Sequence, residues 1–155
     1  MKNMIILVFL FFTAANSIAQ DFTGKWVGHF VVIRPVNDQI KFELVILKKD
    51  SVVQVYTKSI FKIRKDTFFV ECRAEISFDL KTKSMTITET ENVGGNLPSE
   101  ARNCFQKHFL KFSVVNGIEM LTGSWQSAEK NMNCGEGYTT LERESLSPNT
   151  SAPQN

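Results

Sequence analysis

Thr67-Phe68-Phe69-Val70-Glu71-Cys72-Arg73-Ala74-Glu75-Ile76-Ser77-Phe78-Asp79-Leu80 decides the fold class of this 155-residue chain. Phe68, Val70, Cys72, Ala74 and Ile76 fall on every second position, and Glu71, Arg73 and Glu75 stand between them. Side chains alternate faces along a strand, so this pattern sets one face against a core and the other toward water; a helix needs a period of 3.6. From Phe22 onward the same two-residue period recurs, and no segment of helical period reaches helix length. Eight strands are predicted, at Thr23–Arg34, Gln39–Lys48, Val52–Lys62, Thr67–Leu80, Ser84–Val93, Phe105–Val115, Ile118–Ser127 and Gly137–Glu144.

Most links between these strands are short and carry turn residues: Pro35 with Asn37-Asp38, Lys49-Asp50, Lys65-Asp66, Lys81-Thr82-Lys83 and Asn116-Gly117. The last is a strong two-residue hairpin signal. Short links make consecutive strands antiparallel neighbours. Eight such strands in about 120 residues suit an all-β, single, eight-stranded up-and-down barrel, which removes its sheet edges by closing on itself. A two-sheet sandwich is the alternative, but a Greek key needs long crossovers.

The ends of the chain read differently. Met4 to Phe12 is a nearly unbroken apolar run behind Lys2, and Ser17-Ile18-Ala19 supplies small residues for cleavage. The run is too short to span a bilayer, so residues 1–19 are predicted to be a secretory signal and Gln20 the mature start. Its removal takes Lys2 and no acidic residue, lowering the formal net charge from +2 by one. The barrel domain is then 20–144. The tail 145–155, with Pro148 and Pro153 among Ser, Thr and Asn, has the composition of a disordered segment. An exported protein, periplasmic or secreted, is the expectation, with no transmembrane anchor.

Composition also narrows the partners. No basic run is longer than Lys48-Lys49, which counts against nucleic acid and against an anionic-membrane patch. In an oxidising compartment paired cysteines form disulfides. Cys104 and Cys134 lie in the two longest loops and are paired here, closing about 30 residues and contributing about 3–4 kcal/mol in the chain-entropy account. Cys72, on the apolar face of its strand, reads as a small buried hydrophobe. With only His29 and His108 and no Cys-x-x-Cys, no metal site is expected. No nucleophile elbow or phosphate-cradling glycine loop is present, so neither an enzyme nor a cofactor is expected.

Two constellations could bind a ligand. Met85, Ile87, Glu89 and Glu91 share one face of the fifth strand, and His108, Leu110, Phe112 and Val114 share one face of the sixth. Paired as a hairpin, these faces bring Glu89, Glu91 and His108 to one entrance, where they could hold a polar head group. Phe42, Phe78 and Phe112 are the aromatic candidates for an apolar lumen, which they could line or fill. Gly94-Gly95 with Asn96, Leu97 and Pro98 would form a lid across the mouth.

Phe22-Thr23-Gly24-Lys25-Trp26 at the start and Leu141-Glu142-Arg143 at the end resemble the calycin group, the lipocalins and avidins. In lipocalins a Gly-x-Trp opens the first strand, its Trp closes the barrel floor, and a late Arg packs over that indole. The resemblance implies these roles for Gly24, Trp26 and Arg143. Leu121-Thr122-Gly123-Ser124-Trp125, then Cys134-Gly135-Glu136-Gly137, make the closer likeness one to small exported bacterial barrel proteins, with Gly123 and Trp125 structural. Such a barrel is expected to bind a small, largely apolar molecule. The alternative is a packed barrel whose surface meets an envelope protein or a glycan.

Overall fold

The computed structural model describes residues 21–33, 38–130, 132 and 134–145. The expected signal segment, residues 1–19, lies outside these residues, as does all of the expected tail except Ser145. Eight strands follow one another: β1 (Gly24–Val32), β2 (Asp38–Lys49), β3 (Val52–Ile63), β4 (Asp66–Asp79), β5 (Ser84–Gly95), β6 (Gln106–Val115), β7 (Ile118–Ser127) and β8 (Glu136–Arg143). Each pairs antiparallel with the next, and β8 pairs with β1 from Trp26↔Arg143 to Val32↔Gly137, closing the barrel. Among the described residues no helix is long and apolar enough to cross a membrane.

The turn chemistry is visible in the backbone. Asn116 and Gly117 both have positive φ, 52° and 81°, the combination that lets a two-residue turn follow the twist of its strands. The β3–β4 turn sits at Arg64-Lys65, one residue before the predicted Lys65-Asp66, with Arg64 at φ 57°. β5 departs from simple alternation. Ala74 faces Glu89 but Arg73 faces Glu91, and Cys72 faces Asn92 but Glu71 faces Gly94, so Thr90 and Val93 are extra residues. Such bulges reverse the side-chain parity of everything beyond them.

Inward residues fill the lower two thirds of the barrel. Leu44, Ile87, Leu110, Leu121 and Leu141 are fully buried, as are Trp26, Phe30 and Phe42. Each such side chain contributes about 1.5–3 kcal/mol by leaving water, and together they leave no room in this part of the lumen for a ligand.

The closed end is built around Trp26. The Arg143 guanidinium lies 4.4 Å from the Trp26 ring centroid, a cation–π contact worth about 0.5–2 kcal/mol. Arg143 also donates to the carbonyls of Thr23 and Asp21 and meets the Glu119 carboxylate. The Trp26 Nε1–H donates to the Phe22 carbonyl at 3.1 Å. Gly24 takes φ 118°, a conformation L side chains rarely adopt, so its backbone can pass beside Arg143. Gly123 serves β6: a Cβ there would lie 1.8 Å from the Phe109 carbonyl oxygen, so only glycine permits this approach.

Phe78 and Phe112 belong to this floor and not to a ligand-lined lumen, which corrects their sequence assignment. Phe22 stacks on Phe78 at 5.2 Å and meets Phe112 edge-on at 5.8 Å, and Phe112 meets Trp26 edge-on at 6.3 Å. Both have inward parity, but they sit where β4 and β6 reach the sealed end. Phe78 lies beyond the seal and is 40% exposed.

Candidate functional site

At the opposite end the wall is incomplete. β5 and β6 pair only from Ser84↔Lys111 to Thr88↔Lys107; above Thr88 they part. The Glu89 side chain takes over where the backbone ladder stops, its Oε2 accepting the Gln106 N–H at 2.9 Å. Its Oε1 accepts the Thr57 hydroxyl at 2.5 Å. Burial pushes the Glu89 carboxyl above its ordinary range, against the opposing effect of these two donors.

His108 stands beside this group on the inner face. Its ring stacks on Phe42 at 4.6 Å and lies edge-on to Phe30 at 6.1 Å. The Gln106 side-chain oxygen, 3.0 Å away, can only accept, so His108 Nε2 carries the proton and Nδ1 accepts from the Thr139 hydroxyl at 2.8 Å. Complete burial with no charged partner drops its pKa to about 3, and the ring is neutral. Gln106 thus joins Glu89 to His108, through its backbone N–H on one side and its side-chain oxygen on the other. Thr57, Glu89, Gln106, His108 and Thr139 form one hydrogen-bonded band across the barrel.

This band corrects the sequence reading of the entrance. Glu89 and His108 are brought near one another, but at 4% and 0% exposure they lie beneath the mouth and not at it. Phe42 is buried with them. Glu91 is on the outer wall, ion-paired with Arg73 at 2.6 Å, because the extra residue Thr90 reverses its parity. Thr57, Gln106 and Thr139 were missed in sequence. The available signal was Thr57 and Ser59 continuing the inward positions of Val55, since a polar residue at core parity demands a buried partner.

Above the band lies a chamber of about 250 Å³. Phe30, Ile40, Phe61, Val70 and Trp125 form its apolar walls, Ser59 and Gln106 its polar base. Leu97 and the stretch Ala101–Cys104 cover one side. That cover is anchored at both ends. The Asn96 amide imitates a strand residue, accepting the Phe69 N–H at 2.7 Å and donating to the Thr67 carbonyl at 3.1 Å. Cys104 lies at disulfide distance from Cys134, with Cα atoms 6.2 Å apart, tying the cover to the β7–β8 connection. Within it, the Asn103 amide donates to the Cys72 thiol at 3.2 Å. Burial, with the nearby Glu89 charge, pushes that thiol up to about 12, so Cys72 is a protonated core group.

Trp125 closes the chamber wall, its Nε1–H donating to the Val31 carbonyl at 2.9 Å. Among the described residues no three His, Cys, Asp or Glu side chains converge as a metal ion would require. No protein family, curated protein or solved structure matches this chain. The geometry therefore carries the functional reading by itself.

Proposed function

We propose that this chain is an exported, lipocalin-like barrel that holds one small, largely apolar molecule in the chamber at its mouth. The observation that carries the reading is the chamber: an apolar-walled space under a doubly anchored cover, above a lumen that is otherwise filled. Its volume of about 250 Å³ lies just below the roughly 300–1,000 Å³ of pockets for drug-sized ligands, so the occupant is small. Ser59 and Gln106 offer that occupant a polar contact at one end. Export is supported by the apolar run behind Lys2 and by the cysteine pair at disulfide distance. In this reading the protein is a binder and not an enzyme, since Glu89 and His108 spend their hydrogen-bonding capacity on protein partners beneath the chamber.

The chain has two tryptophans, of which Trp125 lines the chamber and Trp26 lies sealed in the floor. Titration with N-phenyl-1-naphthylamine is expected to quench Trp125 emission while probe fluorescence rises. Val70→Phe, which fills the chamber, is expected to abolish uptake and to leave the fold intact by circular dichroism. Uptake unaffected by Val70→Phe would refute the chamber as the site.

A second reading has its own support in the filled lower lumen: a packed barrel whose exterior meets an envelope protein or a glycan. Native mass spectrometry of protein taken from its own compartment separates the two. A reproducible added mass favours the first reading, and bare protein that also refuses the probe favours the second.

A further inference from the structure

Eight of the thirteen large apolar side chains that stand exposed lie at one end of the barrel, the floor. They sit on three hairpin tips far apart in sequence. The β2–β3 tip carries Leu47, Val52 and Val53; the β4–β5 tip carries Phe78 and Leu80; the β6–β7 tip carries Val114, Val115 and Ile118. Val52 and Val53 are neighbours and both exposed, as are Val114 and Val115, so both faces of these hairpins project past the barrel wall. Leu80, at 67%, is the most exposed of all. Between the first two tips runs an open groove of about 320 Å³ walled by Phe22, Ile46, Val53, Phe78 and Leu80, with Lys48 at its edge.

The charges at this end are unevenly matched. Lys48, Lys49, Lys81 and Lys83 flank the apolar tips, and among the described residues none of them is ion-paired. Of the acidic groups on the same tips, the Asp79 carboxylate accepts the backbone N–H of Lys81 and Thr82, and Glu119 is held by Arg143. Asp50 alone is left to oppose four lysines.

We propose that the floor end docks on an anionic lipid surface, its three apolar tips seated at the headgroup boundary and its four lysines on the phosphates. Apolar side chains that penetrate the interface, rimmed by cations, are what peripheral attachment to a bilayer requires. A protein partner fits less well, because lysine is depleted in protein–protein interfaces and three separate protrusions make a poor complementary face. A second copy fits less well again: a two-fold contact through this end would set four unpaired lysines against four more. No basic run in the sequence exceeds two residues; the patch exists only because alternate hairpins of a meander converge on one end.

The test is flotation with vesicles, using the chain from Gln20 so that Met4–Phe12 cannot itself insert. All eight strands and the whole core lie within the described residues, so this chain retains the barrel. Vesicles of phosphatidylcholine with one-third phosphatidylglycerol are expected to carry the protein up the gradient, and pure phosphatidylcholine vesicles much less. Lys48→Ala with Lys81→Ala should lower the partition coefficient about fivefold per lysine. Val52→Ser with Leu80→Ser should abolish flotation, with melting temperatures unchanged in both variants. No flotation, or flotation that survives both pairs of changes, would overturn the proposal. So would a concentration-dependent dimer that Leu80→Ser dissolves in the absence of any vesicle binding.

Discussion

His108 shows how little a residue's type says about its task until its surroundings are known. On a strand end it would be a pH-responsive ligand group; inside an aromatic box it is a neutral strut between Gln106 and Thr139. Its titration still reports on the fold. With a native pKa near 3 against an ordinary 6.5, the unfolded chain binds a proton between those values that the native state refuses. Stability from this group is therefore fully present above pH 6.5 and is lost as pH falls toward 3, at up to about 1.4 kcal/mol per pH unit. Glu89 acts in the opposite sense: its raised pKa means the native state keeps a proton the unfolded chain has released, so stability falls as pH rises from the ordinary 4.5. Urea midpoints across pH 3–7 should rise with pH in the native protein and flatten in His108→Gln, which should also be less stable at pH 7. An unchanged slope in that variant would contradict the buried neutral imidazole.

Among the elements, the weak seam between β5 and β6 is the most consequential. Two bulges carry the upper half of β5 away from β6, and the cover over the chamber is the segment that bridges the resulting gap. Its anchors are the Asn96 amide on β4 and the Cys104–Cys134 pair. Replacing both cysteines by serine should lower global stability by about 3–4 kcal/mol, read from denaturant unfolding. Hydrogen exchange should show where the loss falls: amides of residues 99–106 should lose protection while those of β2 and β7 keep theirs. Equal loss of protection across all strands would mean that the bridge braces the barrel as a whole and not its cover. The strands themselves were legible because a period of two cannot be mistaken over eight segments, and seven of eight starts agree within one residue. The bulges were not legible: Thr86-Ile87-Thr88-Glu89-Thr90-Glu91 alternates without interruption, and only the pairing with β4 reveals the extra residues.

For the whole molecule, the filled lower lumen separates two ends with different characters. The mouth holds an apolar chamber beneath an anchored cover, and the floor presents apolar tips among unpaired lysines. The packed core between them has no continuous passage along which a ligand at one end could touch the other. The ends should therefore respond independently. Val70→Phe should block uptake of the naphthylamine probe and leave vesicle flotation unchanged, whereas Val52→Ser with Leu80→Ser should do the reverse. A change in both properties from either variant would show that the ends communicate through the core.

The sequence by itself determined that this chain is an all-β meander, where its strands lie, which cysteines pair and that Trp26 and Arg143 belong together, because each of these follows from local alternation, turn chemistry or a compact motif. Tertiary structure alone decided which inward side chains fill the barrel and which leave space. It also set Glu91 outside, Glu89 and His108 below the mouth, and the lysines of separate hairpins together at the floor. The physical reason is common to all three: bulges, closure and the meeting of alternate hairpins are relations between strands, and a single strand's pattern of residues carries no record of its neighbours' register.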